Sequence, residues 1–296
     1  TLLTGSYDRT ARLWDAATRK PIGQPLQNED AVQAVAFSPD GRTVATANWS
    51  STVRLWNRPE RSWGREILRS SHSVEALALD RIGGTVVIGC SNGTAELWDT
   101  ATGTRVRVLA GHNGPVRAVA FSPSGRTVVT GGRDGVARLR DIETGEVISE
   151  PLLHGSAISA VAFSPDGRFL VTAGGNLVQI WVTSTGQPVG PPLDHKRSIT
   201  SVAFSPDSSI LLTNCWDFIV RLWDTQTGKL VRSSPVTARF GFNASGFDFS
   251  GRTIATSEGN GKIRFWNRDT GRSTGEVILR GGRGTAADHR RGSAPP

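Results

Sequence analysis

The 296-residue sequence predicts an all-β fold: a seven-bladed β-propeller of four-stranded antiparallel blades whose first blade lacks its innermost strand. Three observations predict it. A dipeptide that mostly ends in Asp or Asn recurs as Trp14-Asp15, Trp56-Asn57, Trp98-Asp99, Arg140-Asp141, Trp181-Val182, Trp223-Asp224 and Trp266-Asn267, at intervals of 42, 42, 42, 41, 42 and 43 residues. Each interval holds four short apolar stretches separated by turn residues. No long helical periodicity appears. A unit of this length cannot bury its own apolar faces, so it must stack on copies of itself, and four antiparallel strands repeated radially make propeller blades.

The first stretch (strand a) reads AVQAVAFSPDGR (31–42), PVRAVAFSPSGR (115–126), AISAVAFSPDGR (157–168) and SITSVAFSPDSS (198–209). Its Val, Ile, Ala and Phe suit a strand covered on both faces. Ser-Pro-Asp-Gly then reverses the chain: Pro fixes φ, Asp closes a local turn and Gly accepts positive φ. Strand b follows as TVATAN (43–48), TVVIGC (85–90), TVVTGG (127–132), FLVTAG (169–174) and ILLTNC (210–215). A tight turn such as Trp216-Asp217-Phe218 leads into strand c, as in TVRLWN (52–57) and IVRLWD (219–224), where charged and apolar residues alternate. A Thr-Gly turn introduces the more polar strand d, such as RVRVLAGH (105–112), as befits an outer edge.

Counting strands places b, c and d of the first blade at 2–6, 10–15 and 20–27, with no strand a before them, so 27 of 28 strands are expected. The propeller is expected to span 1–280. The Gly-, Arg- and Pro-rich segment 281–296 reads as a disordered tail. The absence of Met and the opening in mid-repeat point to a piece of a longer chain.

Net charge is +8, of which the last 17 residues carry +3. That allows attraction to acidic partners, but no arginine stripe or basic helix argues for nucleic acid. No apolar run is long enough for a membrane span and no secretory signal is visible. Cys90 and Cys215 occupy the same position three repeats apart, too far for a disulfide. They read as buried thiols of a monomeric, cytoplasmic ring.

At this point the chain resembles the WD-repeat β-propeller family over residues 1 to about 280. The resemblance implies that each repeat supplies strand d of one blade and strands a to c of the next. It also implies a hydrogen-bonded tetrad of Asp, His, Ser/Thr and Trp. The sixth repeat has all four, in His195, Thr213, Asp217 and Trp223. The fourth has His112, Thr130 and Asp134, with Arg140 in the Trp place. The fifth has His154, Thr172 and Trp181, with a turn one residue short. The first has Thr4, Asp8 and Trp14, and the seventh has Thr256 and Trp266. In the second repeat Asn28 and Ser50 stand in the His and Asp places; in the third, Ile88 and Asn92 depart from the pattern.

Ser/Thr, His and Asp together suggest a nucleophilic triad, but the trio recurs blade after blade beside Trp, and catalysis needs one site. No catalytic, metal or cofactor site is expected: the Gly-rich segment 281–284 lacks a strand–helix context, and no His-x-x-x-His or Cys-x-x-Cys occurs. What remains is surface recognition. The residue before the tetrad Asp place should point onto one rim, the face the family uses for partners. Tyr7, Trp49, Ser91, Arg133, Trp216 and Gly259 hold it. Aromatics are unusual at turn tips, which favour small polar residues. Phe218, Phe240 and Phe242 suggest an apolar patch over blades six and seven, and Trp63 flanks an outer strand. The leading expectation is a non-catalytic interaction scaffold that takes a peptide or protein surface on these aromatics, with Arg133 pairing an acidic group. The alternative is a regulatory module of a larger bacterial-type signalling enzyme, a protein kinase or nucleotide hydrolase.

Overall fold

The computed structural model describes residues 2–15, 18, 20–57, 65–235, 242–248, 250–258 and 262–278. All secondary structure among them is β, arranged as a seven-bladed propeller. The first blade has three strands, β1 (Leu2–Gly5), β2 (Thr10–Trp14) and β3 (Pro21–Gln27). Blade two comprises β4 (Val32–Phe37), β5 (Thr43–Asn48), β6 (Thr52–Asn57) and β7 (Arg65–Arg69), and blade three β8 (Val74–Leu79), β9 (Thr85–Cys90), β10 (Ala95–Asp99) and β11 (Arg105–Leu109). Blade four is β12 (Val116–Phe121), β13 (Thr127–Gly132), β14 (Val136–Asp141) and β15 (Leu152–Leu153); blade five is β16 (Ala160–Phe163), β17 (Phe169–Gly174), β18 (Leu177–Val182) and β19 (Leu193–Asp194). Blades six and seven contain β20 (Ile199–Phe204), β21 (Ile210–Cys215), β22 (Ile219–Asp224), β23 (Leu230–Pro235), and β24 (Phe242–Phe247), β25 (Thr253–Glu258), β26 (Lys262–Asn267), β27 (Ser273–Ile278).

Local chemistry explains the hairpins. In blade two, Ser38 Oγ donates to Asp40 Oδ1 (2.5 Å), the same carboxylate accepts Arg42 N–H (2.9 Å), and Thr43 N–H returns to Ser38 Oγ (2.9 Å). Gly41 supplies the left-handed φ of 70° that closes the turn. Blade six carries Ser208 in that glycine place at φ 61°. Its Oγ accepts Asp166 N–H from blade five (3.1 Å), so the strained residue ties two blades together. Outer strands β15 and β19 shrink to two residues, where Pro151, Pro191 and Pro192 remove ladder donors.

The core is a set of inter-blade layers. Six buried apolar clusters among the described residues each join consecutive blades, from Ala11, Leu26, Val44 and Trp56 across blades one and two to Leu212, Val220, Leu222 and Ile254 across six and seven. Each fully buried Leu or Ile in these layers contributes about 1.5–3 kcal/mol. The stacking holds the turns between strands b and c on one rim, here called the upper rim, together with the linkers from strand d to the next strand a.

Candidate partner-binding rim

The upper-rim turns are fixed by backbone bonds to the neighbouring linkers. Trp49 N–H donates to Ala31 O (3.3 Å), Ser91 N–H to Ser73 O (3.0 Å), Arg133 N–H to Pro115 O (2.9 Å) and Trp216 N–H to Ser198 O (3.0 Å). These bonds bring the tip residues to equivalent places around the ring. Two residues further on, the chain turns through positive φ at Arg9, Ser51, Gly93, Gly135 and Phe218, which throws the tip outward. Tyr7 is 82% exposed, Trp49 55% and Trp216 51%, and Arg133 is also exposed. The rim therefore presents three large aromatic surfaces and a cation.

Beneath the tips lie the polar links between strands b and c. Trp Nε1–H donates to Thr Oγ1 in five blades: Trp14 to Thr4 (3.0 Å), Trp56 to Thr46 (3.0 Å), Trp181 to Thr172 (2.9 Å), Trp223 to Thr213 (2.9 Å) and Trp266 to Thr256 (3.0 Å). His154 Nδ1 meets Thr172 Oγ1 at 2.9 Å and His195 Nε2 meets Thr213 Oγ1 at 2.8 Å. Each threonine hydroxyl thus receives the indole and donates to a neutral imidazole. Burial pushes both histidines below their ordinary value, which keeps them neutral acceptors.

Blade four holds the longest network. His112 Nε2 lies 2.8 Å from Thr130 Oγ1, and its Nδ1–H donates to Asp134 Oδ1 at 3.0 Å. Burial alone would raise the Asp134 carboxyl, but the His112 and Asn113 N–H bonds outweigh it and hold the group below its ordinary value. Arg140, in the Trp place, donates instead to Gly145 O (3.1 Å) and to Ala110 O.

Two arrangements differ from the resemblance. In blade six the Asp217 carboxylate binds the Arg221 guanidinium (2.5 Å) rather than His195, whose Nδ1–H turns to Leu193 O (3.0 Å). The four residues there do not form one network, because the strand-c arginine four residues on captures the acid. In blade three Ile88 offers Trp98 no hydroxyl. Glu96, 2% exposed, accepts the Trp98 Nε1–H at 3.1 Å and is paired by Arg105 at 2.9 Å.

Of the three phenylalanines expected to form an aromatic patch over blades six and seven, only Phe218 has a described side chain. Phe218 is half-buried, packed on the Leu212, Val220, Leu222 and Ile254 cluster, so it serves the inter-blade layer rather than standing free beside Trp216. Phe240, Trp63, Gly259 and the tail 281–296 lie outside the described residues, and only the backbone of Phe242 is described. The structure places Tyr7, Trp49, Arg133 and Trp216 on one rim over blades one, two, four and six. Arg117, at the start of β12, and Lys196 and Arg197, in the linker before β20, add cations to this face; the sequence signal for the last two is the basic pair directly after His195. Among the described residues no group of three or more His, Cys, Asp or Glu is placed to hold a metal ion. No helix among them is long and apolar enough to cross a membrane.

Fold and rim define a propeller in which a Trp–Thr bond ties strands b and c in five of the seven blades, and the family comparison agrees. The family model described as WD domain, G-beta repeat (WD40) matches residues 1–15, 20–57, 103–141, 147–182 and 186–224, more than half of the chain. The chain belongs to the WD40 repeat family. The unmatched stretches include the three inner strands of blade three, β8 to β10, with their Ile88–Glu96 exchange, and blade seven. No curated protein matches the chain at a significant level.

Proposed function

We propose that the ring is a non-catalytic interaction platform whose upper rim holds a peptide or protein surface. One observation carries this reading: Tyr7, Trp49 and Trp216 occupy the same turn position in three blades and expose more than half of their surface on one face. Turn tips normally hold small polar residues, and aromatic side chains with arginine dominate the energy of protein interfaces. Membership of the WD40 family supports a protein-interaction role, and the two buried free thiols fit a reducing compartment.

The test is crosslinking mass spectrometry of the purified ring in extract of its source cells. The Trp49→Ala/Trp216→Ala variant is compared with the parent and with Ile82→Ala, which removes an exposed apolar residue at a turn on the opposite rim. Loss of specific crosslinks in the double variant alone supports the assignment. Unchanged crosslinks refute it.

A further inference from the structure

Resting on that reading, we propose that the partner segment is an extended acidic peptide lying across blade five, between Arg133 and the Lys196-Arg197-Trp216 corner. The argument begins with charge. Over blades four to six the upper rim carries six cations (Arg117, Arg133, Arg138, Lys196, Arg197, Arg221) and three carboxylates (Asp134, Asp194, Asp217). Structure pairs two of the carboxylates with cations and hydrogen-bonds the third, which leaves a net surplus of three cations. Asp134 binds His112, Asn113 N–H and Arg138; Asp217 binds Arg221; Asp194 accepts Asn176 Nδ2–H at 2.8 Å. Arg117, Arg133, Lys196 and Arg197 make no ion pair among the described residues, and Arg133, Lys196 and Arg197 are exposed. Elsewhere on this rim the balance differs: Asp8 pairs with Arg12 and Glu29 with Arg54, while Asp30 and Glu75 carry no ion pair among the described residues, so the surplus of cations belongs to blades four to six.

Shape points the same way. The b–c turn of blade five is the short Gly175-Asn176, and the linker beside it is Gly155-Ser156-Ala157, so small residues floor the space between two taller tips. The floor is continuous. A Cβ on Gly135 would lie 3.1 Å from Ser156 O, and one on Gly175 would lie 3.3 Å from Ser156 Oγ. Ile199 N–H then donates to Gly175 O (2.7 Å), and Trp216 N–H to Ser198 O (3.0 Å). A Cβ at Gly155 would meet nothing within 4 Å. A chain laid on this saddle meets Arg133 at one end and two cations beside an indole at the other. Carboxylates answer the cations, and one apolar side chain answers Trp216.

The experiment is fluorescence anisotropy with a fluorescein-labelled decapeptide of glutamates with interspersed leucines, against the same peptide with Gln for every Glu. The acidic peptide is expected to bind at least about tenfold tighter than its glutamine counterpart and to weaken as NaCl rises from ~50 to ~300 mM. The variant R133E/K196E/R197E should lose about tenfold or more, while R42E/R126E, which reverses two exposed arginines on the opposite rim, should stay within about twofold. Equal binding of both peptides that disappears in Trp216→Ala overturns the acidic assignment and leaves the rim reading intact. Absence of binding, or equal loss in both charge-reversed variants, overturns the proposal. Matching melting curves of all variants exclude loss of fold as the cause.

Discussion

Asn214→Ala should stabilise the protein. Asn214 is completely buried on β21, and neither its amide oxygen nor its nitrogen has a hydrogen-bond partner. Other blades place Ala47, Gly89, Gly131 and Ala173 at this register, opposite a small residue of their own strand a. A side chain here points at the next blade: a Cβ on Gly131 would approach Ile158 and Val161. In blade seven the counterpart of Val161 is Ser245, bonded to Ser201 of blade six at 2.7 Å. At this level the layer between blades six and seven is thus polar where the others are apolar. Leaving a buried amide unsatisfied costs about 1–3 kcal/mol. Removing it leaves a void of roughly 30 Å³, which costs about 0.7 kcal/mol at ~24 cal/mol per Å³. The expected net gain is therefore about 0.5–2 kcal/mol, or about 1–5 °C in Tm for a chain of this size. Thermal melting by circular dichroism, checked by urea denaturation, measures it. Adding Ser245→Val to the alanine variant should extend the gain by restoring the Ala–Val pairing of blade five. A melting point lowered by Asn214→Ala alone would refute the reasoning, because the amide would then be satisfied in solution.

The remaining expectations use the same reference measurements. Gly131→Ala should destabilise by about 1–3 kcal/mol, since the new methyl would sit 2.5 Å from Ile158 Cγ2 and blade five would have to shift; an unchanged urea midpoint would refute it. Phe218→Ala should lower Tm, whereas Trp216→Ala should leave it within about 1 °C, because only the former ring packs on the core cluster. Glu96→Ala should destabilise by about 1–3 kcal/mol, as it leaves the buried Trp98 indole N–H without an acceptor. His112, His154 and His195 are held below their ordinary value near 6.5, chiefly by burial, so the unfolded chain binds more protons as pH falls through 6.5. Stability should therefore drop between about pH 7 and 5, and a Tm flat across that window would contradict it.

The ring was legible in the sequence because its cause is periodic. The 42-residue interval, the Ser-Pro-Asp-Gly turns and the alternation in strand c each act locally, and they agree from copy to copy. The three-stranded first blade followed from counting the same copies. What was not legible depends on geometry between elements. Asp217 reads as a tetrad acid until the reach of Arg221, four residues on, is known. Phe218 reads as part of an apolar surface patch until its packing on the Leu212, Val220, Leu222 and Ile254 cluster is known. Glu96 reads as an ordinary wet strand-c residue until Ile88, paired directly with it across β9 and β10, removes the acceptor that Trp98 would have used.

These exchanges show what the fold requires beneath the rim. The His and Asp members are replaceable: Asn28 stands in the His place and accepts Thr46 Oγ1–H at 2.7 Å, while Trp56 still donates to that same threonine. Blade three replaces the threonine with a carboxylate two residues from the indole, and blade four keeps Thr–His–Asp while an arginine fills the Trp place. The common requirement is that each indole N–H between strands b and c finds an acceptor, since an orphan there costs as much as a whole apolar contact gains. Asn28 also supplies a titration-free template. His195→Asn should keep the Thr213 bond and flatten the dependence of stability on pH, because one of the three depressed imidazoles is gone. The same slope in parent and variant would mean that His195 contributes nothing to it, and that His112 and His154 carry the whole effect.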